Sequence, residues 1–187
     1  MAVAPPVSVS ITGTGLFTPA ESVSNTELAA SLTASVERWN AEHADEIAAG
    51  TLQARDLPDV DFIERASGIG SRYVMEKSGV LDPDRMRPVL PLRGEHELGI
   101  QAEMSLPAIE EALAQAGRVA ADVDAVIVGC SNLQRAYPAV AIEIQDALGA
   151  GGWAFDMNVA CSSATFSIQN AVDALRNGTA NCVVVVN

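Results

Sequence analysis

Basic residues are scarce in this sequence. Lys and Arg together number 11 against 24 Asp and Glu, a formal net charge of −13 over 187 residues. So acidic a chain offers no electrostatic footprint for nucleic acid or anionic lipid, so neither is expected as a partner. Long apolar runs are also missing, and none reaches the ~18 residues that a membrane span needs. The opening MAVAPPVSVS lacks the charged segment and apolar stretch of a signal peptide. The expected location is the cytoplasm. Cysteine is confined to Cys130, Cys161 and Cys182, an odd count with no CxxC spacing. That argues against both a disulfide framework and a zinc site, so reduced thiols and no metal are expected. The only histidines, His43 and His96, read as ordinary surface or helix-end residues.

What the chain does have is apolar substance. Hydrophobic residues make up 49% and charged residues 19%, the balance of a folded globular protein rather than a disordered one. Domains usually run to about 100–200 residues, so the natural expectation is one α/β body over residues 1–187, with a decorated region at about 33–96.

Periodicity predicts the elements. Residues 7–12 (VSVSIT) alternate and run into Gly13 and Gly15, which reads as a strand and a tight loop. Ser24 followed by Glu27 makes a capping-box pattern before the helical stretch ELAASLTASVERWNAEHADEIAAG. Between residues 41 and 93 charge rises, and Pro58, Pro83, Pro88 and Pro91 break any long element. Order then returns with a helix over 97–117, kinked at Pro107, and an apolar strand over 123–128. A helix with Pro138 in its first turn runs to Gly149, and 153–159 reads as a strand. Residues 161–177 form an amphipathic helix with Ala164, Ile168, Ala171, Val172 and Leu175 on one face, and 182–186 an all-apolar strand. Such alternation predicts a mostly parallel sheet covered by helices on both faces.

One segment carries chemistry. In FDMNVACSSATFSIQNAV, Cys161 follows an apolar strand and opens a helix. Unpaired N–H groups and the positive end of the helix dipole at such a place favour a thiolate, and the same groups can hold an oxyanion. The competing reading is that Cys161 merely packs at a strand-to-helix junction. Cys130 and Cys182, at the end of a strand and within one, read as core residues.

Several segments, in order, resemble the thiolase-fold condensing enzymes, specifically 3-oxoacyl-(acyl-carrier-protein) synthase III. ITGTGLFTPAESVSN resembles the first strand and loop, and DFIERASGIGSRYV the Trp-Ile and Thr-Gly-Ile-x-x-Arg region, with Phe62 at the Trp position. AYPAVAIEIQDALGA resembles the Phe-Pro-Ser-x-x-x-x-Ile-Gln helix, and WAFDMNVACSSATF the nucleophile segment, followed by the strand CVVVVN. The likeness leaves out residues 33–56 and 81–96.

The resemblance implies the amino-terminal half of the αβαβα layered thiolase-like fold, with Cys161 as the catalytic nucleophile. It further implies acyl-CoA as donor, malonyl-acyl carrier protein as acceptor, no permanently bound cofactor, and a role in fatty acid biosynthesis. Phe62 and Arg65 would meet coenzyme A, although Ala66 stands where the family has its arginine. Tyr137 stands where a Phe crosses the family's dimer interface to line the partner's acyl pocket. A homodimer is expected, through the helix beginning near Pro138 and the strand over 153–159. The carboxy-terminal half, with the family's catalytic His and Asn, is expected on a second polypeptide. A related acyltransferase of the hydroxymethylglutaryl-CoA synthase type, or a non-catalytic pairing subunit, are the alternative readings.

Overall fold

The computed structural model describes residues 7–187. The first six residues, part of the stretch read above for a signal peptide, lie outside the described residues. The chain divides into two compact units, one of Thr18–Leu92 and the other of Arg93–Asn187 with the segment up to Phe17.

In the Thr18–Leu92 unit, β1 (Glu21–Ser24) runs antiparallel to β2 (Ser71–Val74), with Glu21 opposite Val74 and Ser24 opposite Ser71. Helix α1 (Asn25–Glu42) begins on the expected capping box. The Glu27 N–H donates to Ser24 Oγ at 3.2 Å, and the Ser24 N–H donates to Glu27 Oε2 at 2.9 Å, so two otherwise orphaned donors are satisfied reciprocally. Asn25, buried at 4% exposure, joins this start to the loop before β2. Its N–H donates to the Gly70 carbonyl, its Nδ2 to the Ile69 carbonyl, and its Oδ1 accepts from Arg72. The short α2 (Ala44–Ala48) follows. Helix α3 (Val60–Ser67) is capped by Asp59 and ends at Gly68, whose φ of 70° is a left-handed conformation suited to glycine. The single turn α4 (Ser78–Leu81) comes after β2.

The other unit holds the sheet. Helix α5 (Ile100–Ala116) contains Pro107 and closes at Gly117. Then come β3 (Ala125–Gly129), α6 (Val140–Leu148), β4 (Trp153–Met157), α7 (Ser163–Arg176) and β5 (Val183–Val186). Both pairings are parallel and the order is β4-β3-β5. Strand β3 is central, and Ala125 to Val128 are all buried. Val126 and Val128 join Ala102, Ile109, Leu113, Val140, Ala141 and Ile144 in one core with α5 and α6. Strand alternation turns Gly129 to the opposite face, where α7 lies.

Three expectations are corrected. Residues 7–12 form no strand. Beyond them the chain uses α5 as its partner, the Thr14 N–H donating to Gln115 Oε1 at 2.6 Å and the Leu16 N–H to Glu111 Oε2 at 3.0 Å. Gly13 and Gly15 run so close to the backbone of Ala112 and Ala108 that a side-chain carbon at either would strike those carbonyls. Pro138 lies outside α6, whose N-cap is Ala139. The missing side-chain cap comes from β4: Asp156 accepts from the N–H groups of Val140 and Ala141, each at 2.8 Å. Finally, the buried stripe of α7 is Ser163, Ser167 and Ala171, while Ala164 and Ile168 are exposed. The reason is close approach: a side-chain carbon on Gly129 would fall 2.9 Å from Ser167 Oγ and 3.0 Å from Ser163 Cβ. Only small residues fit so near the sheet.

Candidate active site

In parallel sheets the loops beyond the carboxyl ends of the strands are where ligands bind. Here those loops are joined by a direct contact, Ser131 after β3 donating its hydroxyl to Asn158 Oδ1 after β4 at 2.9 Å.

The chain leaves β4 through Asn158 and Val159 into a 3₁₀ turn, Ala160–Ser162, and α7 starts at Ser163. Cys161 therefore sits one step earlier than expected, in the tight turn rather than in the helix, and it is exposed. It still adjoins the first turn of α7, whose N-cap, Ser162, makes no side-chain cap bond. N–H groups at that end of a helix have no intrahelical acceptor and carry the positive end of the dipole.

Ala160 has φ of 46°. A left-handed conformation at a non-glycine residue costs roughly 1–2 kcal/mol, so something must hold it. Ser163 Oγ accepts from the Val159 N–H at 2.9 Å and donates to the Ala160 carbonyl at 2.8 Å. The Ser162 N–H donates to the Val159 carbonyl at 3.0 Å. Asn158 Oδ1, besides its bond from Ser131, accepts from the Ala160 N–H at 3.1 Å. The residue that presents Cys161 is thus fixed on both sides.

The other two thiols differ. Burial foremost, and the charge of Asp156 after it, push the Cys130 thiol up. Burial is also the largest cause that pushes up Cys182. Both are half-buried against the core, which keeps them as protonated packing groups.

Tyr137 lies in the loop after β3 and is 88% exposed. Phe62 and Arg65 share α3 in the Thr18–Leu92 unit. The Phe62 ring is 60% exposed. Arg65 pairs with Asp59 at 3.7 Å, an exposed ion pair of small energetic value, and with Asp61 and Glu64 it lines a shallow hollow. Sequence reasoning did not find Asn158, Ser163, Ser131 or the conformation of Ala160. Ser163 entered it only as a letter of the segment WAFDMNVACSSATF. The run of small polar residues around Cys161 was the available signal.

No family model matches the chain. It is 56% identical over 152 residues to a beta-ketodecanoyl-[acyl-carrier-protein] synthase of Pseudomonas aeruginosa, covering 81% of this chain and 43% of that protein. A beta-ketoacyl-[acyl-carrier-protein] synthase III of Bordetella petrii is 30% identical over 178 residues, 94% of this chain and 42% of the relative. The chain therefore spans less than half the length of these curated relatives. Among solved structures, 3-oxoacyl-[acyl-carrier-protein] synthase III from Aquifex aeolicus matches with a TM-score of 0.61 at 22% identity, over 94% of this chain and 42% of that one. OleA of Xanthomonas campestris with bound lauric acid and lauroyl-CoA matches with a TM-score of 0.66 at 16% identity, over the same shares. At those identities the structures speak for the fold alone, and that fold is the thiolase fold. By sequence and by fold together, the chain resembles roughly the amino-terminal half of the beta-ketoacyl-[acyl-carrier-protein] synthases III.

Proposed function

We propose that this chain is the nucleophile-bearing part of an acyl-condensing enzyme of fatty acid biosynthesis, and that Cys161 carries the acyl group. The observation that carries the reading is the exposed Cys161 on a positive-φ turn directly after β4, at the carboxyl edge of a parallel sheet. The 56% identical relative named as a beta-ketodecanoyl-[acyl-carrier-protein] synthase supports the class of reaction.

The Cys161 thiolate attacks the carbonyl carbon of an acyl-CoA. The tetrahedral oxyanion gains from N–H donors at the start of α7, and its collapse forms the Cys161 thioester and expels coenzyme A as its thiolate. Loss of carbon dioxide from malonyl-acyl carrier protein then leaves an enolate. Its carbon attacks the acyl-Cys161 carbonyl, a carbon–carbon bond forms, and the Cys161 thiolate departs. The relatives are more than twice as long as the matched part, so condensation in this reading draws on the remainder of the thiolase fold as well. Any acyl-carrier-protein contact uses the same assembled enzyme. A cytoplasmic location accords with it; no helix among the described residues is long and apolar enough to cross a membrane. The exposed Phe62 ring, with Arg65 on the same helix, suits an aromatic and cationic contact for coenzyme A.

Incubation of the protein with an acyl-CoA, followed by peptide mass mapping, tests the reading. The acyl mass is expected on the peptide containing Cys161, with release of one equivalent of coenzyme A, and C161A abolishes both. An acyl group on Cys130 or Cys182, or none at all, overturns it. Carbon dioxide release from malonyl-acyl carrier protein then separates a condensing enzyme from a hydroxymethylglutaryl-CoA synthase type.

The same reading includes a homodimer built on α6 and β4, with Tyr137 lining the partner's acyl pocket. The exposure of Tyr137 and Ile142 supports it. Sedimentation at micromolar concentration is expected to give a dimer that a charge at Ile142 (I142D) dissociates. A monomer, or a dimer indifferent to I142D, overturns this arrangement.

A further inference from the structure

We infer that Ser163, with Asn158 as a second strut, is a positioning residue that holds the Cys161 turn in its strained, outward-presenting form. The inference rests on the reading of Cys161 as the acyl-carrying nucleophile and assigns what keeps it in place.

Ser163 is the first residue of α7 and is 5% exposed. A serine at that position would ordinarily turn outward or satisfy only its own helix end. Here its hydroxyl uses both of its capacities on one short ring of backbone. It accepts from the Val159 N–H and donates to the Ala160 carbonyl. The clamp thus ties the peptide group before Val159 to the one after Ala160, spanning the Ala160 φ of 46°. Asn158 reaches the same residue from its other end, accepting from the Ala160 N–H, and is itself held by Ser131 from the neighbouring loop. Two side chains, Ser163 and Asn158, bond to one alanine, and Ser131 braces Asn158 from the neighbouring loop. Within this chain Asn158, Val159, Ala160 and Cys161 are all exposed, so hydrogen bonds rather than burial by its own residues hold the turn. The hydrogen bonds are what keep a locally unfavourable φ populated. Released, Ala160 relaxes toward the ordinary negative-φ region and Cys161 turns away from its presentation beside the α7 N-terminus.

The test compares S163A, N158A and N158D with the parent protein by two measurements. The first is the rate of Cys161 alkylation by iodoacetamide at one fixed pH, read by peptide mapping with Cys130 and Cys182 as internal controls. The second is acyl transfer from an acyl-CoA, resolved into kcat and KM. Loss of the Ser163 hydrogen bonds is expected to slow both alkylation and kcat on the order of tenfold, with KM unchanged and the two half-buried thiols still protected. N158A is expected to act the same way to a smaller extent, and N158D, which keeps the accepting oxygen, to restore the parent rates when the fixed pH lies above the Cys161 thiol pKa of every variant, so that the added carboxylate no longer lowers the thiolate fraction. Where S163A does not fold, the N158A and N158D pair decides alone. Parent-like rates in S163A and N158A overturn the inference. So does a slowing accompanied by labelling of Cys130 and Cys182, because that marks general loosening, and so does an N158D protein as slow as N158A. A protein that takes no acyl group but shows the alkylation contrast supports the clamp and overturns the functional reading instead.

Discussion

Ala160 and Gly129 use small side chains for opposite ends. Ala160 bears a strained φ that Ser163 and Asn158 hold in place, whereas Gly129 is small because α7 lies against it. An added methyl at Gly129 would meet Asn187 Oδ1 and Ser167 Oγ, and Ser163 Cβ at 3.0 Å. Ser163 is also the clamp on the Cys161 turn, so packing under β3 and presentation of the thiol share one residue. G129A is therefore expected to destabilise the fold by about 1–3 kcal/mol through overpacking, measured by urea denaturation, and to slow Cys161 alkylation along with it. A loss of stability with unchanged alkylation would separate the two roles of Ser163, and unchanged stability would show that α7 shifts freely.

At the scale of elements, what the sequence made legible was what the chain settles locally. The Ser24–Glu27 capping box, the glycine stops at Gly117 and Gly149, and the apolar strand at β3 depend on hydrogen bonds and burial within a few residues, and each is present. Non-local choices were not legible. Alternation over residues 7–12 announces a half-buried strand, but alternation does not supply a partner; the segment after it takes its hydrogen bonds from Gln115 and Glu111, about a hundred residues away. Helix α6 was expected to open on Pro138, but it starts at Val140, because its cap, Asp156, belongs to a strand that follows it. The apolar side of α7 looked like its buried face, but the narrow gap beside Gly129 selects serine and alanine for the side against β3 and leaves Phe166 and Ile168 uncovered by this chain, at 49% and 44% exposure. The site followed the same rule. Cys161 could be singled out from its position between strand and helix; the bonds of Ser163 and Asn158 are local but need the positive φ of Ala160 to form, and only the Ser131 brace depends on β3 and β4 lying side by side.

Across the whole molecule, each of the two compact units contains carboxylates whose hydrogen bonds favour the ionised form. In the Thr18–Leu92 unit, the hydrogen bond from Lys77 is the largest cause that lowers Glu27 to about 2, followed by bonds from Ser24. Glu76 is lowered to about 2, first by Ser78 and then by the backbone N–H groups of Val89 and Gly79. In the sheet-bearing unit Asp124 is lowered by the backbone N–H of Asn181 and then of Cys182, which fastens the start of β5 to β3. A carboxylate whose folded pKa lies below its unfolded value stabilises fully above the unfolded value, near 4.5 for Glu76, and the contribution fades as pH falls through the folded one. The window for both glutamates therefore runs from about pH 4.5 down to about 2. Each unit contains one of the chain's two tryptophans, Trp39 stacked on His43 in α1 and Trp153 stacked on Phe155 in β4. In a Trp153→Phe protein, the melting temperature read from Trp39 is expected to fall across that window, and E76Q is expected to flatten the fall, since glutamine has no proton to gain. In a Trp39→Phe protein, D124N is expected to do the same for the Trp153 signal. An acid profile of Trp39 that E76Q leaves as steep as before would mean that the Glu76 hydrogen bonds to Ser78, Gly79 and Val89 persist when the carboxyl is protonated, and that acid weakens this unit through other groups.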